Sequence, residues 1–187
     1  WLGYGQHLYR LDPGTGRILN TISLSGTVTS VSIDPSGRRL YVGVVTASSQ
    51  ASIIELDGRT AAQHASTPTG GGDLGGPHLA ASADGVWVAY ATGMMGAVEH
   101  RNAANLALLP IPSQFGHTNG ISIVVGSGSV WFVDGGAQRV ACADPRSGTI
   151  AASTELPFPT VMVTDSKGTY VAVQDEVDFL QPNSCPQ

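Results

Sequence analysis

Apolar and polar residues follow one pattern at four places along the chain. Each place has an apolar strand, a tight turn that contains glycine, and a second apolar strand that carries an aromatic residue; the segments are 30–42, 79–88, 121–132 and 161–172. In the second strand of the first segment, Leu40, Val42 and Val44 alternate with Tyr41 and Gly43, so both faces are largely apolar. Such a period of two predicts β-strands in a sheet that is covered on both sides.

The aromatic residues of these strands recur at a regular interval, and a further copy stands at the start of the chain. They are spaced by 39 to 46 residues and are Trp1, Tyr41, Trp87, Trp131 and Tyr170. A second hairpin follows the first four of them, at residues 8–18, 53–60, 98–108 and 140–150. Each unit therefore holds four strands, A to D, which is the content of one β-propeller blade.

Counting these strands along the chain predicts an all-β protein, a β-propeller of four-stranded blades. The start supplies strands B, C and D, three complete blades span 29–67, 78–113 and 119–156, and the end, 159–181, supplies about three more strands. This gives about 4.5 blades, either as a five-bladed ring, which is favoured, or as part of a larger propeller completed by missing strands or another chain. We expect one domain over 1–187, incomplete or processed at its N-terminus, because the chain opens at Trp1 without Met.

The residues of two hairpins, including their turns, resemble those of a known family of repeats. Residues 33–42 (Ile-Asp-Pro-Ser-Gly-Arg-Arg-Leu-Tyr-Val) resemble the strand–turn–strand unit of the YVTN and quinoprotein-like β-propeller families. Residues 130–134 and 144–148 resemble the second half of the same repeat. The resemblance implies the architecture only, since such repeats serve as sensors, binding scaffolds, dehydrogenases and lyases.

The charge composition limits the classes of partner that the protein is expected to bind. The formal net charge is −5, and only 12% of the residues are charged, so we expect no nucleic-acid partner, whose phosphates require clustered cations. Residues 102–133 contain no Asp, Glu, Lys or Arg, but Pro110, Pro112 and several glycines interrupt this stretch. An apolar helix of about 20 residues is thereby excluded, and we expect no membrane span.

The two cysteines, Cys142 and Cys185, are too few for a disulfide framework. They lie close to one repeat period apart, and a bridge requires Cα atoms within about 7 Å. Because equivalent strands of adjacent blades are usually farther apart, the spacing favours two free thiols, although a bridge stays open. No Cys-x-x-Cys pair is present, so we expect no metal site.

The two ends of the predicted propeller differ. The A–B and C–D turns, such as 35–37, 83–85 and 126–128, are short and suit backbone turn geometry, whereas the B–C and D–A loops are long and irregular. On a rigid scaffold, binding usually occurs in long, irregular loops whose sequence is not explained by the geometry of a tight turn. We call the first end the turn pole and the second the loop pole, and we expect binding at the loop pole.

The candidate binding residues all lie in or beside loop-pole segments; they are Asp73, His78, Met94, Met95, Phe115, His117 and Asn119. His78 and His117 precede two predicted A strands, which line the channel, with Asp73 and Asn119 nearby, so a ligand could be held there. The simpler alternative is that both histidines bond loop carbonyls. The methionines suit an adaptable contact surface or fill gaps under their loop.

The sequence contains none of the common catalytic signatures, among them Gly-x-Ser-x-Gly, His-Glu-x-x-His and the phosphate-binding loop. We therefore expect a non-catalytic binding scaffold outside the cytoplasm, without cofactor, that engages a protein or an extended ligand. One alternative is an enzyme, a quinoprotein-type dehydrogenase or lyase, that uses His78 or His117 at the channel mouth. Another is an accessory subunit of a larger assembly.

Overall fold

A computed structural model describes residues 1–72, 75–92, 95–111, 120–126, 128–134, 138–157, 159–165, 167–174 and 176–181. The described residues form eighteen antiparallel strands in five sheets, which we number I to V in chain order. Each sheet contains strands that follow one another directly in the sequence. This arrangement confirms the prediction of an all-β propeller with about five blades in the chain.

Sheets I and V have three strands each, in the orders β1-β2-β3 and β16-β17-β18. The strands of sheet I are β1 (Leu2–Tyr4), β2 (His7–Leu11) and β3 (Ile18–Ser23). Those of sheet V are β16 (Pro159–Thr164), β17 (Thr169–Val173) and β18 (Glu176–Leu180). The repeat pattern identifies them as strands B to D and A to C, respectively.

Sheets II, III and IV have four strands each, A to D in sequence order. Sheet II contains β4 (Thr27–Ile33), β5 (Arg39–Val45), β6 (Ala51–Asp57) and β7 (Gln63–Thr69). Sheet III contains β8 (His78–Ala81), β9 (Gly85–Thr92), β10 (Met95–Asn102) and β11 (Leu108–Leu109). Sheet IV contains β12 (Gly120–Gly126), β13 (Ser129–Asp134), β14 (Arg139–Ala143) and β15 (Ile150–Glu155).

Successive sheets pack face to face, and the aromatic anchors of sheets I to IV each pack against the next sheet. Tyr41 packs against Leu79 and Val88 of sheet III. Trp87 packs against Phe132 of sheet IV, and the same relation holds for Trp1 with sheet II and Trp131 with sheet V. The core of the protein is therefore a series of four inter-sheet layers.

Hydroxyl groups tie the A strands of consecutive sheets to each other. Thr29 Oγ1 and Ser30 Oγ donate to the Pro77 carbonyl oxygen at 2.9 and 2.7 Å. The Ala81 backbone N–H donates to Ser32 Oγ at 2.9 Å. The four A strands β4, β8, β12 and β16 surround one open axial cleft of about 320 Å³. These bonds pair polar groups that would otherwise be buried without a hydrogen-bond partner where the sheets converge.

Cys142 lies in β14, fully buried, as the repeat predicts. It is disulfide-bonded, so the expectation of two free thiols is wrong. The only other cysteine of the chain is Cys185, which lies outside the described residues. The argument from blade spacing assumed two equivalent strand positions, whereas Cys185 comes after β18 in the sequence.

Candidate functional site

The structure describes two of the seven predicted site residues. His78 is the exposed first residue of β8, and Met95 is the first residue of β10, so each belongs to a strand and not to the loop before it. Asp73, Met94, Phe115, His117 and Asn119 lie outside the described residues. Their roles stay predictions, as does the pairing of His78 with His117.

The loop pole carries a cleft of about 470 Å³ between the B–C and D–A loops of sheet II. Among the residues that the structure describes, its lining consists of neutral polar residues, alanine, proline and glycine without an ionisable side chain; they are Thr46, Ser49, Gln50, Ala51, Ser52, Pro68, Thr69 and Gly70 to Gly72. Hydroxyl and amide groups beside exposed backbone suit a ligand that forms neutral hydrogen bonds, such as an extended peptide.

Glycine is required at residues 70–72, which follow β7 and lie close to Ser49 and Tyr90. A Cβ at Gly72 would overlap the Ser49 carbonyl oxygen, and a Cβ at Gly70 would overlap the Tyr90 ring. Gly71 also has a positive φ of 86°, which other residues rarely adopt. The sequence Gly70-Gly71-Gly72 therefore lies close against Tyr90 of sheet III and Ser49 of the B–C loop of sheet II, and it shapes one wall of the cleft.

A hydrogen-bonded cluster fixes the Tyr90 ring behind that wall. Tyr90 donates its hydroxyl proton to Glu99 Oε1 at 2.8 Å, and Arg101 Nη2 donates to Glu99 Oε2 at 2.6 Å. Burial, followed by the bond to Glu99, raises the pKa of Tyr90. Arg101 also reaches the Pro68 carbonyl oxygen at 3.3 Å, so the cluster connects sheet III to the last strand of sheet II.

At the turn pole, the C–D hairpins are closed by aspartate side chains that accept hydrogen bonds from their own turns. The Oδ1 atoms of Asp12, Asp57 and Asp144 each accept a backbone N–H three residues later, at 2.8, 2.7 and 2.7 Å. Hydrogen bonds from these residues lower the pKa of all three carboxyl groups. The carboxylates are thus satisfied within the turns, which is typical of a structural role.

Two larger clefts, each of about 730 Å³, nevertheless open at the turn pole. The first lies at the mouth of the axis between the A–B turns of sheets II, III and IV. Its charged residues include Asp84 and Arg146, which are mostly exposed and 3.6 Å apart. An ion pair this exposed contributes little to stability, and the sequence did not predict a cleft here.

The second turn-pole cleft contains a buried carboxyl group, that of Glu55, in an otherwise apolar strand. Glu55 in β6 is 4% exposed, and its Oε1 lies 3.3 Å from Arg39 Nε and 3.9 Å from His64 Nδ1. Burial raises the pKa of Glu55, while Arg39 and then His64 oppose the increase. The sequence offered one signal for this group, a single carboxylate within the apolar strand Ile53-Ile54-Glu55-Leu56.

Replacing Glu55 by glutamine is expected to raise the stability relative to that of wild type as the pH rises above about 4.5. The folded state holds the Glu55 proton more tightly than the unfolded chain does, so stability is lost as pH rises through this range. Glutamine stays neutral and removes that loss. Urea unfolding of both proteins at several pH values measures the difference.

Asp57→Asn is the matched control at the same cleft. The pKa of Asp57 is lowered in the folded protein, first by the backbone bond from Thr60, so its contribution is present above its unfolded pKa and lost on acidification. The stability of this variant relative to wild type should therefore fall as the pH rises through the acidic range below about 3.8, and it should change little above that range. The same slope in both variants would contradict the assignment of Glu55.

His100 is buried outside all of these clefts. It is 1% exposed, and its ring stacks on Trp87 with centroids 4.2 Å apart and planes 8° apart. Burial lowers the pKa of His100 to about 4. Among the described residues, no group of three or more histidine, cysteine and carboxylate side chains could hold a metal ion, and no helix has the length and apolar character needed to cross a bilayer.

No family model and no curated protein matches the sequence. Solved structures do match the fold. BamB from Moraxella catarrhalis has a TM-score of 0.63 at 14% identity, over 91% of this chain and 54% of that one. The β-propeller domain of Cps50 (Swd1) from Myceliophteria thermophila has a TM-score of 0.65 at 13% identity, over 90% and 58%.

A third match is the dihydro-heme d1 dehydrogenase NirN in complex with DHE, with a TM-score of 0.67 at 12% identity, over 98% of this chain and 41% of that one. The chain thus spans about half the length of the structures that it matches. At such identities the likeness shows the fold alone, and a dehydrogenase among the matches illustrates that this fold does not decide between binding and catalysis. The protein has a β-propeller fold.

Proposed function

We propose that this protein is a non-catalytic binding propeller that engages a protein segment or another extended ligand at its loop pole. The supporting observation is the 470 Å³ cleft, which the loops of sheet II line with neutral polar and glycine residues. The described part of this lining offers neutral hydrogen-bond donors and acceptors, which suit the backbone of an extended ligand. The Tyr90–Glu99–Arg101 cluster behind it supplies a rigid wall.

We place this function outside the cytoplasm. The support is the disulfide at Cys142, because disulfides persist in oxidising compartments and are rare in the reducing cytosol. A structure of the mitotic checkpoint complex also matches the fold, with a TM-score of 0.72 at 12% identity, and a match to a component of an assembly supports a scaffold that holds a protein partner.

A displayed library of random extended peptides tests the binding site. Peptides selected on the wild-type protein should lose binding to Gln50→Trp, in which an exposed side chain of the loop-pole cleft is enlarged to fill it. Ala104→Trp places the same side chain at an exposed position of a turn-pole cleft and should retain binding. Failure to select any peptide, or loss of binding only in Ala104→Trp, would contradict the proposal.

A further inference from the structure

The second turn-pole cleft lies between sheets II and III and combines a buried carboxyl group with walls of alanine. Ala65 of β7 lines it from sheet II, and Ala83, Ala103 and Ala104 line it from two turns of sheet III. These small side chains leave a volume of about 730 Å³ beside Glu55. Sheets I and IV cover the other faces of the two sheets, so the cleft is an internal feature of the series.

A group of tyrosine, glutamate and arginine side chains occurs twice in the molecule, and the copy in sheet III shows how it closes. Glu99 accepts a hydrogen bond from the Tyr90 hydroxyl at 2.8 Å and one from Arg101 Nη2 at 2.6 Å. Both carboxylate oxygens of Glu99 are therefore bonded by short, charge-assisted contacts. This copy leaves no need for a further donor at its carboxylate.

The copy in sheet II consists of Tyr41, Glu55 and Arg39, and it does not close in this way. Tyr41 lies directly opposite Glu55 in the register of β5 and β6, so both side chains are on one face of the sheet. Glu55 Oε1 lies 3.3 Å from Arg39 Nε and 3.9 Å from His64 Nδ1. Both distances exceed the limit of about 2.9 Å for a strong charge-assisted hydrogen bond. The carboxylate is therefore held only loosely by its neighbours.

The Tyr41 hydroxyl group is also uncommitted. It is fully buried and has no hydrogen-bond partner among the residues that the structure describes. Burial and then the Glu55 carboxylate raise the pKa of Tyr41 to about 12, and Arg39 opposes the increase. These charge effects place the hydroxyl close to Glu55 and Arg39, which line the cleft. A buried hydroxyl without a partner is costly, so a donor or acceptor from outside the chain would be favourable here.

The remaining charges of the cleft favour an organic cation over a metal ion or an anion. Asp34 accepts hydrogen bonds from Ser36 and from two backbone N–H groups of its own turn, and Asp57 accepts three from its turn. Both carboxylates are thus engaged, and no described group of side chains could hold a metal ion. The described lining has three carboxylates against two arginines, so an anion would meet an excess of negative formal charge.

We propose that this cleft binds an aliphatic primary ammonium group, with the ammonium on Glu55 and Tyr41 and the methylene stem against the alanine walls. An ammonium group carries three hydrogen-bond donors and no acceptor, which matches a carboxylate beside an unbonded hydroxyl oxygen. It supplies the close positive partner that a buried carboxylate needs. The methylene stem of such a group packs well on apolar surface. The site lies at the turn pole, so it does not depend on binding at the loop pole.

A titration with N-acetyl-lysine amide, followed by the backbone amide signals of the ¹⁵N-labelled protein at pH about 8, tests the site. At this pH the amine is charged and an ordinary carboxyl group is ionised. Wild type should show saturable shifts in β5 and β6. N-acetyl-norleucine amide has the same stem without the charge and should bind at least about tenfold more weakly.

A parallel titration with n-butylamine identifies the source of the ammonium group. Tighter binding of N-acetyl-lysine amide than of n-butylamine would show that peptide groups add contacts, as expected for a lysine of a protein partner. Equal binding would show that a small free amine is sufficient. Either order supports an ammonium site, whereas the absence of saturable shifts with both amines would overturn the proposal.

Three variants locate the binding site. Glu55→Gln keeps the shape of the side chain and removes its charge, so it should weaken amine binding at least about tenfold. Ala104→Trp fills the cleft from an exposed lining position and should weaken it as well. Ala151→Trp places the same side chain at an exposed position of β15 in sheet IV and should keep the wild-type affinity.

The same variants separate this proposal from the proposed function. Peptides selected at the loop pole should still bind Glu55→Gln, because that cleft is formed by other residues. Unchanged amine binding in Glu55→Gln, equal binding of N-acetyl-norleucine amide, or loss of binding in Ala151→Trp would contradict the ammonium site. Circular dichroism checks that each variant is folded.

Discussion

Replacing Trp87 by alanine is expected to lower the free energy of unfolding by about 3–5 kcal/mol. Trp87 is fully buried between sheets III and IV, where it packs against Ile123 and Phe132, and it also stacks on His100. Both sheets are held in place by neighbours on their other faces, so the cavity cannot close by collapse. Most of the cost of lost contacts therefore persists in the variant.

Urea unfolding at neutral pH measures this change. Leu108→Ala is the control for a large apolar residue that is mostly exposed, and its effect should stay within about 0.5 kcal/mol. Trp87→Phe keeps an aromatic ring beside His100 and should lose less stability than the alanine variant. A loss below about 1 kcal/mol for Trp87→Ala would mean that the interface relaxes, contrary to the packing argument.

The sheet arrangement was predictable because short sequence motifs determine where each hairpin of the repeat turns. An aspartate at the end of a C strand, followed by a residue with a hydroxyl group three positions later, closes the hairpins at Asp12, Asp57 and Asp144. Each such turn determines where one strand ends and the next begins. The sequence pattern therefore predicted about eighteen strands, and the residues that the structure describes contain eighteen, divided three, four, four, four and three among the sheets.

The two turn-pole clefts were not predictable, because their walls come from residues that are distant in sequence. Glu55 meets Ala83 and Ala103 of the next sheet across its cleft, and no local pattern encodes that approach. His78 and Met95 illustrate a smaller limit. Both were assigned to loops, but backbone pairing extends β8 and β10 to include them, and pairing depends on the partner strand as much as on the residue itself.

The stack of His100 on Trp87 also predicts how the protein responds to acid. Burial lowers the pKa of His100 from 6.5 to about 4, while the carboxylate of Asp84 opposes the shift. Between these two pH values the unfolded chain binds a proton that the folded protein does not, so stability rises with pH across the window and is lost on acidification. At 1.36 kcal/mol for each pH unit, the full loss is about 3 kcal/mol.

His100→Phe is expected to abolish that loss while keeping the aromatic stack. In the described structure His100 Nε2 is buried without a hydrogen-bond partner, so its removal breaks no bond at that atom and should cost little at neutral pH. Unfolding by urea between pH 4 and 6.5 should show a shallower dependence on pH than wild type. Val98→Ile changes packing in the same buried cluster without changing a titratable group, so it should keep the wild-type slope. If His100→Phe kept that slope too, the acid sensitivity would have to come from other groups, and burial would not be keeping the His100 imidazole neutral as expected.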